Sequence, residues 1–359
     1  MNDELIAILN SWFVLNQRDL PWRKTTDPYA IWISEVILQQ TRVDQGIAYY
    51  QRFLEQWPDI ASLAAAREQE VLKMWQGLGY YSRARNLLTA AKQIMSLHKG
   101  VFPEDPGKLR QLKGIGPYTA AAIASIAFGH HVAVVDGNVK RFLSRFYGLD
   151  LALDRGEGKR QLEKYAQSIV ENGHPGLLNQ VMMEFGALQC VPRNPLCNKC
   201  PLAEQCVALR QNLVQQLPVS IRKKASRNRY FNYLVMAQPH DDGLVFVVRK
   251  RIGNDIWKGM FEFPLIETAN ETDFGQLSQT VEFDKITAGQ HFLLSGQPFR
   301  IRHILTHQNI FACFYLLIFD HLGFVEEKNN VFLMNQNRPD DYPLPRLIMK
   351  YLLSLENQN

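Results

Sequence analysis

The stretch Leu112–Asn138 reads LKGIGPYTAAAIASIAFGHHVAVVDGN, and two of its features decide how the rest of the chain is read. Gly114 and Gly116 flank Ile115 between two helical patterns, and glycine permits the positive φ angles and close backbone approach that a tight hairpin needs. The N–H groups opening the following helix can hold a DNA phosphate oxygen without reading base sequence. The alanine-rich run Thr119–Phe128 suits a helix packed closely on its neighbours. An ordinary turn between two core helices is the alternative. Asp136 then ends the apolar run Val132–Val135 and precedes a helical pattern over Val139–Phe146, where an aspartate serves first as an N-cap. Only the company it keeps makes it a catalytic candidate.

The whole chain bounds that company. Its 359 residues allow two or three domains with real cores, and 46% hydrophobic with 21% charged residues describes a soluble globular protein. No apolar run approaches the ~20 residues of a membrane span, and Met1–Asn10 carries acids where a secretory signal carries bases. The expected address is the cytoplasm, on the nucleoid if DNA is the partner. A net charge of +5 permits a polyanionic partner without requiring one. Four of the five cysteines crowd between Cys190 and Cys206 while Cys313 stands alone, which is not a secreted disulfide framework.

Leu5, Ile8, Leu9, Trp12 and Phe13 recur at helical spacing, so the chain opens with an amphipathic helix. Arg18, Trp22 and Arg23 follow in one loop, either a helix-ending turn or the basic, aromatic rim of a base pocket. A helix is predicted over Ile31–Val43, with Glu35 set among bulky hydrophobes. A solvated face is the ordinary fate of such a glutamate; a closed pocket would raise its pKa and make it a general acid. Gln39 and Gln40 end that helix with amides able to meet base edges. Tyr80 and Tyr81 lie in a glycine-punctuated turn before Arg83 and Arg85, where a ring can wedge into or stack on bases, or simply fill the core.

Helical patterning continues from Lys159 to Gly186, and then come Cys190, Cys197, Cys200 and Cys206 at 6-2-5 spacing. Four thiolates in so short a loop can ligate zinc or a [4Fe-4S] cluster. Only one short C-x-x-C pair is present, which favours iron–sulfur. The basic stretch Arg222–Arg229 reads as a solvated interdomain connector. Beyond it the period changes: Tyr230–Met236, Leu244–Val248 and Ile310–Phe319 read as strands and Pro345–Leu353 as a closing helix, a second domain of α+β character.

SEVILQQTRV around Glu35, LKGIGPYTAAAIAS followed by VVDGNVKRF, and C-x6-C-x2-C-x5-C together resemble the helix-hairpin-helix base-excision glycosylases, and within them the adenine DNA glycosylase (MutY) family. The resemblance implies a multi-domain chain: an all-α glycosylase region, made of a six-helix barrel and a [4Fe-4S] lobe, followed by an α+β Nudix-like domain. The implied boundaries are residues 1–22 with 131–215 for the cluster lobe and 23–130 for the barrel. A linker spans 216–229, and the 8-oxoguanine-recognition domain 230–359. The implied partner of this monomer is duplex DNA carrying adenine opposite 8-oxoguanine or guanine.

Carried onto this chain, the resemblance makes Glu35 the general acid and Asp136 its carboxylate partner, with Tyr118 and Asn138 placed around the sugar. Cys190, Cys197, Cys200 and Cys206 hold the cluster. Gly114 and Gly116 form the DNA-binding hairpin, Arg18, Trp22 and Arg23 wall the adenine pocket, and Gln40 and Tyr80 enter the duplex. Tyr118 stands where bifunctional relatives carry a Schiff-base lysine, implying a monofunctional glycosylase that leaves an intact abasic site. Leu305, Thr306 and His307 match a Phe-Ser-His loop in the Nudix-like module. No glutamate-rich Nudix box follows the segment Trp257–Pro264, which leaves nowhere to hold Mg²⁺ for pyrophosphate hydrolysis. A pyrimidine glycosylase/lyase and a non-catalytic damage binder are the rival readings.

Overall fold

A computed structural model of the chain describes residues 2–219, 226–325 and 330–356. It falls into two compact units, Met1–Ala65 with Asn86–Arg222, and Ala66–Arg85 with Lys223–Asn359.

The first unit is helical. The opening helix Asn2–Asn16 buries Leu5, Leu9, Trp12 and Phe13 in one core with Val139, Phe142, Leu143, Val181 and Phe185. The rings of Trp12 and Phe142 lie 4.9 and 4.8 Å from that of Phe185, so residues from the start of the chain and from its second half share one interior. Asp27 caps the helix Pro28–Leu38 by accepting from the N–H groups of Tyr29 and Ala30 at 3.1 and 3.2 Å, and Pro28 occupies the first turn, where a missing N–H costs nothing. That helix stops five residues short of the expected Val43, because Gln40 takes a φ of 60° and a left-handed residue cannot propagate a right-handed helix. A new helix starts at Val43 and runs to Gln56. Pro117–Phe128 and Gly137–Tyr147 form as the sequence suggests; each is closed by a glycine of positive φ, Gly129 and Gly148. Val132–Val135 joins neither helix nor sheet.

The second unit is built on a mixed seven-stranded sheet: β1 (Arg227–His240), β2 (Gly243–Lys250), β3 (Phe261–Glu262), β4 (Leu265–Thr268), β5 (Leu293–Ile304), β6 (Gln308–Ile318) and β7 (Val331–Asn335). The order is β3-β2-β1-β6-β5, with β4 on β1 and β7 on β2. β1 and β6 pair in parallel from Arg227 opposite Gln308 to Ala237 opposite Ile318; the remaining pairs are antiparallel. Alternate residues of β1 enter two cores. Phe231, Tyr233 and Val235 pack beneath the helix Arg346–Glu356, while Leu234 and Met236 join Leu277 and Phe283 of two short helices on the other face. A strand covered on both faces needs a nearly continuous apolar run, which YFNYLVM supplies apart from Asn232, whose buried amide donates to the Ile266 carbonyl and to Thr268.

The basic stretch expected to be a solvated connector is corrected in part. Arg222–Ala225 lies outside the described residues, but Arg227–Arg229 already belongs to β1, and Arg229 is buried between Asp255 and Glu267 at 2.7 and 2.6 Å. Paired carboxylates satisfy the guanidinium where water would otherwise have to. Glu262, the carboxylate of the segment Trp257–Pro264, is fully buried and held by Arg249, Arg251 and Tyr233, so it offers nothing to a metal ion. No helix among the described residues is long and apolar enough to cross a membrane.

Candidate active site

Glu35 and Asp136 open onto one cavity of about 630 Å³ in the first unit, lined also by Arg18, Trp22, Arg23, Gln40, Tyr118 and Asn138. That volume is in the range of small-ligand sites. Glu35 is 6% exposed, which settles its two readings in favour of the pocket. Burial, reinforced by the charge of Asp136, pushes its carboxyl up to about 7, against the hydrogen bond it accepts from Tyr118. The Tyr118 hydroxyl is itself raised well above its ordinary value by burial and by Glu35, so it stays a donor.

Asp136 is both cap and site. Its Oδ1 accepts from the N–H groups of Asn138 and Val139 at 2.9 and 2.7 Å, and its Oδ2 from Asn138 Nδ2 at 2.7 Å. Burial pushes its pKa up, and these hydrogen bonds oppose the rise. Asp136 thus receives three donors where Glu35 receives one, an arrangement that favours the charged form of Asp136 more than that of Glu35. Asn138 Oδ1 in turn accepts from Arg141, whose Nε donates to the carbonyl of Cys190 at 2.7 Å.

The loop arginines are more constrained than a rim. Both pair with Glu184, Arg18 through Nη2 at 2.6 Å and Arg23 through Nη2 at 2.8 Å. Burial alone would raise Glu184; the hydrogen bonds from both arginines outweigh it and carry it down to about 2. Trp22 is buried, edge-on to Tyr50 at 5.5 Å. The sequence reading missed Glu184 and Gln180, which line the same cavity. The available signal was an acid inside the apolar helix Pro175–Leu188.

Gly114 has a φ of 79°, and a Cβ there would meet Asn86 Cβ at 2.6 Å. Gly116 corrects the expectation of positive φ: at φ −85° and ψ 178° it is extended backbone, the N-cap of Pro117–Phe128. A Cβ on Gly116 would meet nothing within 4 Å, so its surroundings are open for a ligand at the helix N-terminus. Gln40 and Tyr80 both adopt positive φ, 60° and 49°. For non-glycine residues that costs energy; Tyr80 occupies the turn the sequence predicts, whereas Gln40 occupies a turn where the end of a helix was expected. Tyr80 is 44% exposed and lies with Thr306 and His307 in the second unit, its hydroxyl against Thr306 Oγ1. Thr306 and His307 form the exposed turn between β5 and β6. Cys313 is buried on β6.

Cys190, Cys197, Cys200 and Cys206 line one small pocket with Phe142, Arg145 and Leu202. Among the described residues no three His, Cys, Asp or Glu side chains converge on a single metal position. A [4Fe-4S] cluster takes one thiolate at each of four irons, and four cysteines set around one pocket fit it. Arg145 adds a second sign. It is 3% exposed and donates to Cys190 Sγ at 3.5 Å; among the described residues its other hydrogen-bond acceptors are the carbonyls of Val191, Pro192 and Leu217. A buried cation with neutral partners calls for an anion, and a thiolate-ligated cluster is one.

Comparisons with known proteins agree with this geometry. A model of the HhH-GPD superfamily of base excision DNA repair proteins matches residues 33–171, and a NUDIX domain model matches residues 233–354. An adenine DNA glycosylase of Buchnera aphidicola (subsp. Acyrthosiphon pisum) is 30% identical over 345 residues, covering 96% of this chain and 95% of the relative. The human adenine DNA glycosylase is 43% identical over 217 residues, covering 58% and 40%. A solved thermostable thymine-DNA glycosylase superposes with a TM-score of 0.55 at 28% identity over 58% of this chain and 97% of its own. Endonuclease III bound to DNA, at 22% identity and a TM-score of 0.51, shares the fold. The chain belongs to the adenine DNA glycosylase family of helix-hairpin-helix base-excision enzymes.

Proposed function

We propose that the chain is a monofunctional DNA glycosylase that hydrolyses the N-glycosidic bond of adenine opposite 8-oxoguanine or guanine in duplex DNA, acting as a monomer. The observation that carries this is the pair of carboxylates on one cavity with opposed environments, Glu35 buried and raised to about 7 and Asp136 held by three hydrogen bonds. A base inside a duplex cannot reach such a cavity, so the adenine is flipped out, with Gln40 and Tyr80 filling the stack beside it. Glu35 gives its proton to N7, and the C1′–N9 bond breaks with its electron pair passing to the purine, leaving a deoxyribosyl oxocarbenium ion. The Asp136 carboxylate, on the sugar side, stabilises that cation or bonds C1′ transiently. Water then adds at C1′ and gives its proton to Glu35, the division of labour of retaining glycosidases. Tyr118 offers a phenol where a lyase needs an amine, so the strand stays intact.

Cys190, Cys197, Cys200 and Cys206 would hold a [4Fe-4S] cluster, which supplies a structural clasp with no ligand position left for substrate. The shared core of Leu5–Phe13 with Val139–Phe185 supports reading residues 1–22 with 131–215 as the cluster lobe and 23–130 as the barrel. Thr306 and His307 are proposed to meet the base opposite the adenine. The test is single-turnover adenine release from duplexes with adenine opposite 8-oxoguanine, guanine or thymine, with and without alkali. Release from the first two only, with strand breaks appearing after alkali, is expected; binding without release would favour a damage-recognition protein.

A further inference from the structure

We infer that Glu184 is a positioning residue of the adenine pocket: it saturates its own carboxylate with Arg18 and Arg23, fixing both guanidiniums as hydrogen-bond donors on the pocket wall and halving their charge. The inference rests on reading the cavity as the adenine pocket. Oε1 of Glu184 accepts from the Arg18 backbone N–H at 2.9 Å, from Arg18 Nε at 2.9 Å and from Arg23 Nη1 at 3.1 Å. Oε2 accepts from Arg18 Nη2 at 2.6 Å and Arg23 Nη2 at 2.8 Å. A carboxylate offers about four lone-pair sites, so Glu184 has no capacity left for a substrate. Arg23 Nη1 also donates to the Arg18 carbonyl at 3.1 Å, which ties the two ends of the loop together.

Arg18 Nη1 and Arg23 Nε are not used in these bonds, and neither guanidinium can accept. These two guanidiniums therefore offer a flipped base donors alone, complementary to the ring-nitrogen acceptors of adenine. Two arginines lining a buried cavity without a counter-ion would repel each other and would favour ionised Glu35, which must carry a proton. Glu35 faces Tyr118 from the helix Pro117–Phe128 and Asp136 from the cap of Gly137–Tyr147. Arg18, Arg23, Glu184, and the ion pair of Lys140 with Asp154, line the same cavity. Glu184 is the anion in this set that offsets the arginines directly.

The experiment is single-turnover adenine release from an 8-oxoguanine duplex as a function of pH, for the full chain and for Glu184→Gln and Glu184→Asp, with iron content and thermal unfolding measured on each. Glu184→Gln is expected to slow release about 100-fold, the effect of an ångström of misplacement, and to move the alkaline limb to lower pH by on the order of one unit. Glu184→Asp keeps the charge at shorter reach, so it should be slower than wild type with the limb unmoved. A Glu184→Gln profile that superposes on wild type overturns the inference. If Glu184→Gln does not fold, a Glu184→Asp limb that moves to lower pH overturns it, and one that stays supports it. Wild-type protein that releases no adenine overturns the reading of the cavity, and the inference with it.

Discussion

Glu35 carries the sharpest expectation, because its task and its burial pull in the same direction. A carboxyl raised to about 7 is protonated below that pH and loses its proton above it. Adenine release should therefore fall about tenfold for each pH unit above 7, measured as the single-turnover rate. The same shift has the opposite sign for stability. The folded state prefers neutral Glu35, so the destabilisation is absent below the unfolded carboxyl range and complete above 7, of the order of 3 kcal/mol. Glu35→Gln should abolish release, leave duplex binding intact, and raise the melting temperature at pH 8; unchanged turnover removes Glu35 from the mechanism. Asp136→Asn keeps an oxygen to cap its helix but removes the charge proposed to face the oxocarbenium ion. A loss of about 1,000-fold in release with only a modest fall in melting temperature, from the lost bond to Asn138 Nδ2, is the expected result, and a loss of helix stability without a rate effect would reduce Asp136 to its capping role.

The helices Pro175–Leu188 and Gly137–Tyr147 meet at Gly186, where a Cβ would lie 2.4 Å from the carbonyl oxygen and 2.6 Å from the carbonyl carbon of Asn138. Backbone cannot yield as a side chain can. Gly186→Ala should cost about 1–3 kcal/mol and, by moving Asn138 and the cap that holds Asp136, slow release about 100-fold; calorimetry and the release assay check the two effects separately. Such a contact is invisible in the sequence, where Gly186 is one glycine in an apolar helix. The helices themselves were legible, because Asp27, Pro28, Pro117 and Asp136 mark their starts and Gly129 and Gly148 their ends. Strands were less so. YFNYLVM is an apolar run broken only by Asn232 and announced β1, but β5 is interrupted by Gly296 and Pro298 and exposes Arg300 and Arg302, so neither alternation nor apolar content marks it. At the site, Glu35, Asp136, Arg18 and Arg23 could be found from their neighbours. Glu184 stood out only as an acid inside an apolar helix; its arginine partners, 161 and 166 residues away, were not legible.

The first unit binds distant segments of chain together, and the cysteine loop sits on that joint. Cys190, Cys200 and Cys206 pack against the core that includes Leu5 and Phe13 from the first helix and Phe142 and Phe185 from the later ones. Arg141 runs from the Cys190 carbonyl to Asn138, and Asn138 holds Asp136. A cluster that fixes the loop would then fix, through three hydrogen bonds, the carboxylate proposed to face the sugar. Metal analysis of the purified chain should find iron and sulfide and no stoichiometric zinc. Cys200→Ser should lose the cluster's visible absorbance, leave Arg145 buried without a counter-ion, and lower the melting temperature by about 5 °C or more. Release should fall along with iron content across preparations of that variant. Full activity in an iron-free Cys200→Ser protein would sever the link from loop to site; zinc in place of iron would overturn the cluster assignment while leaving the clasp.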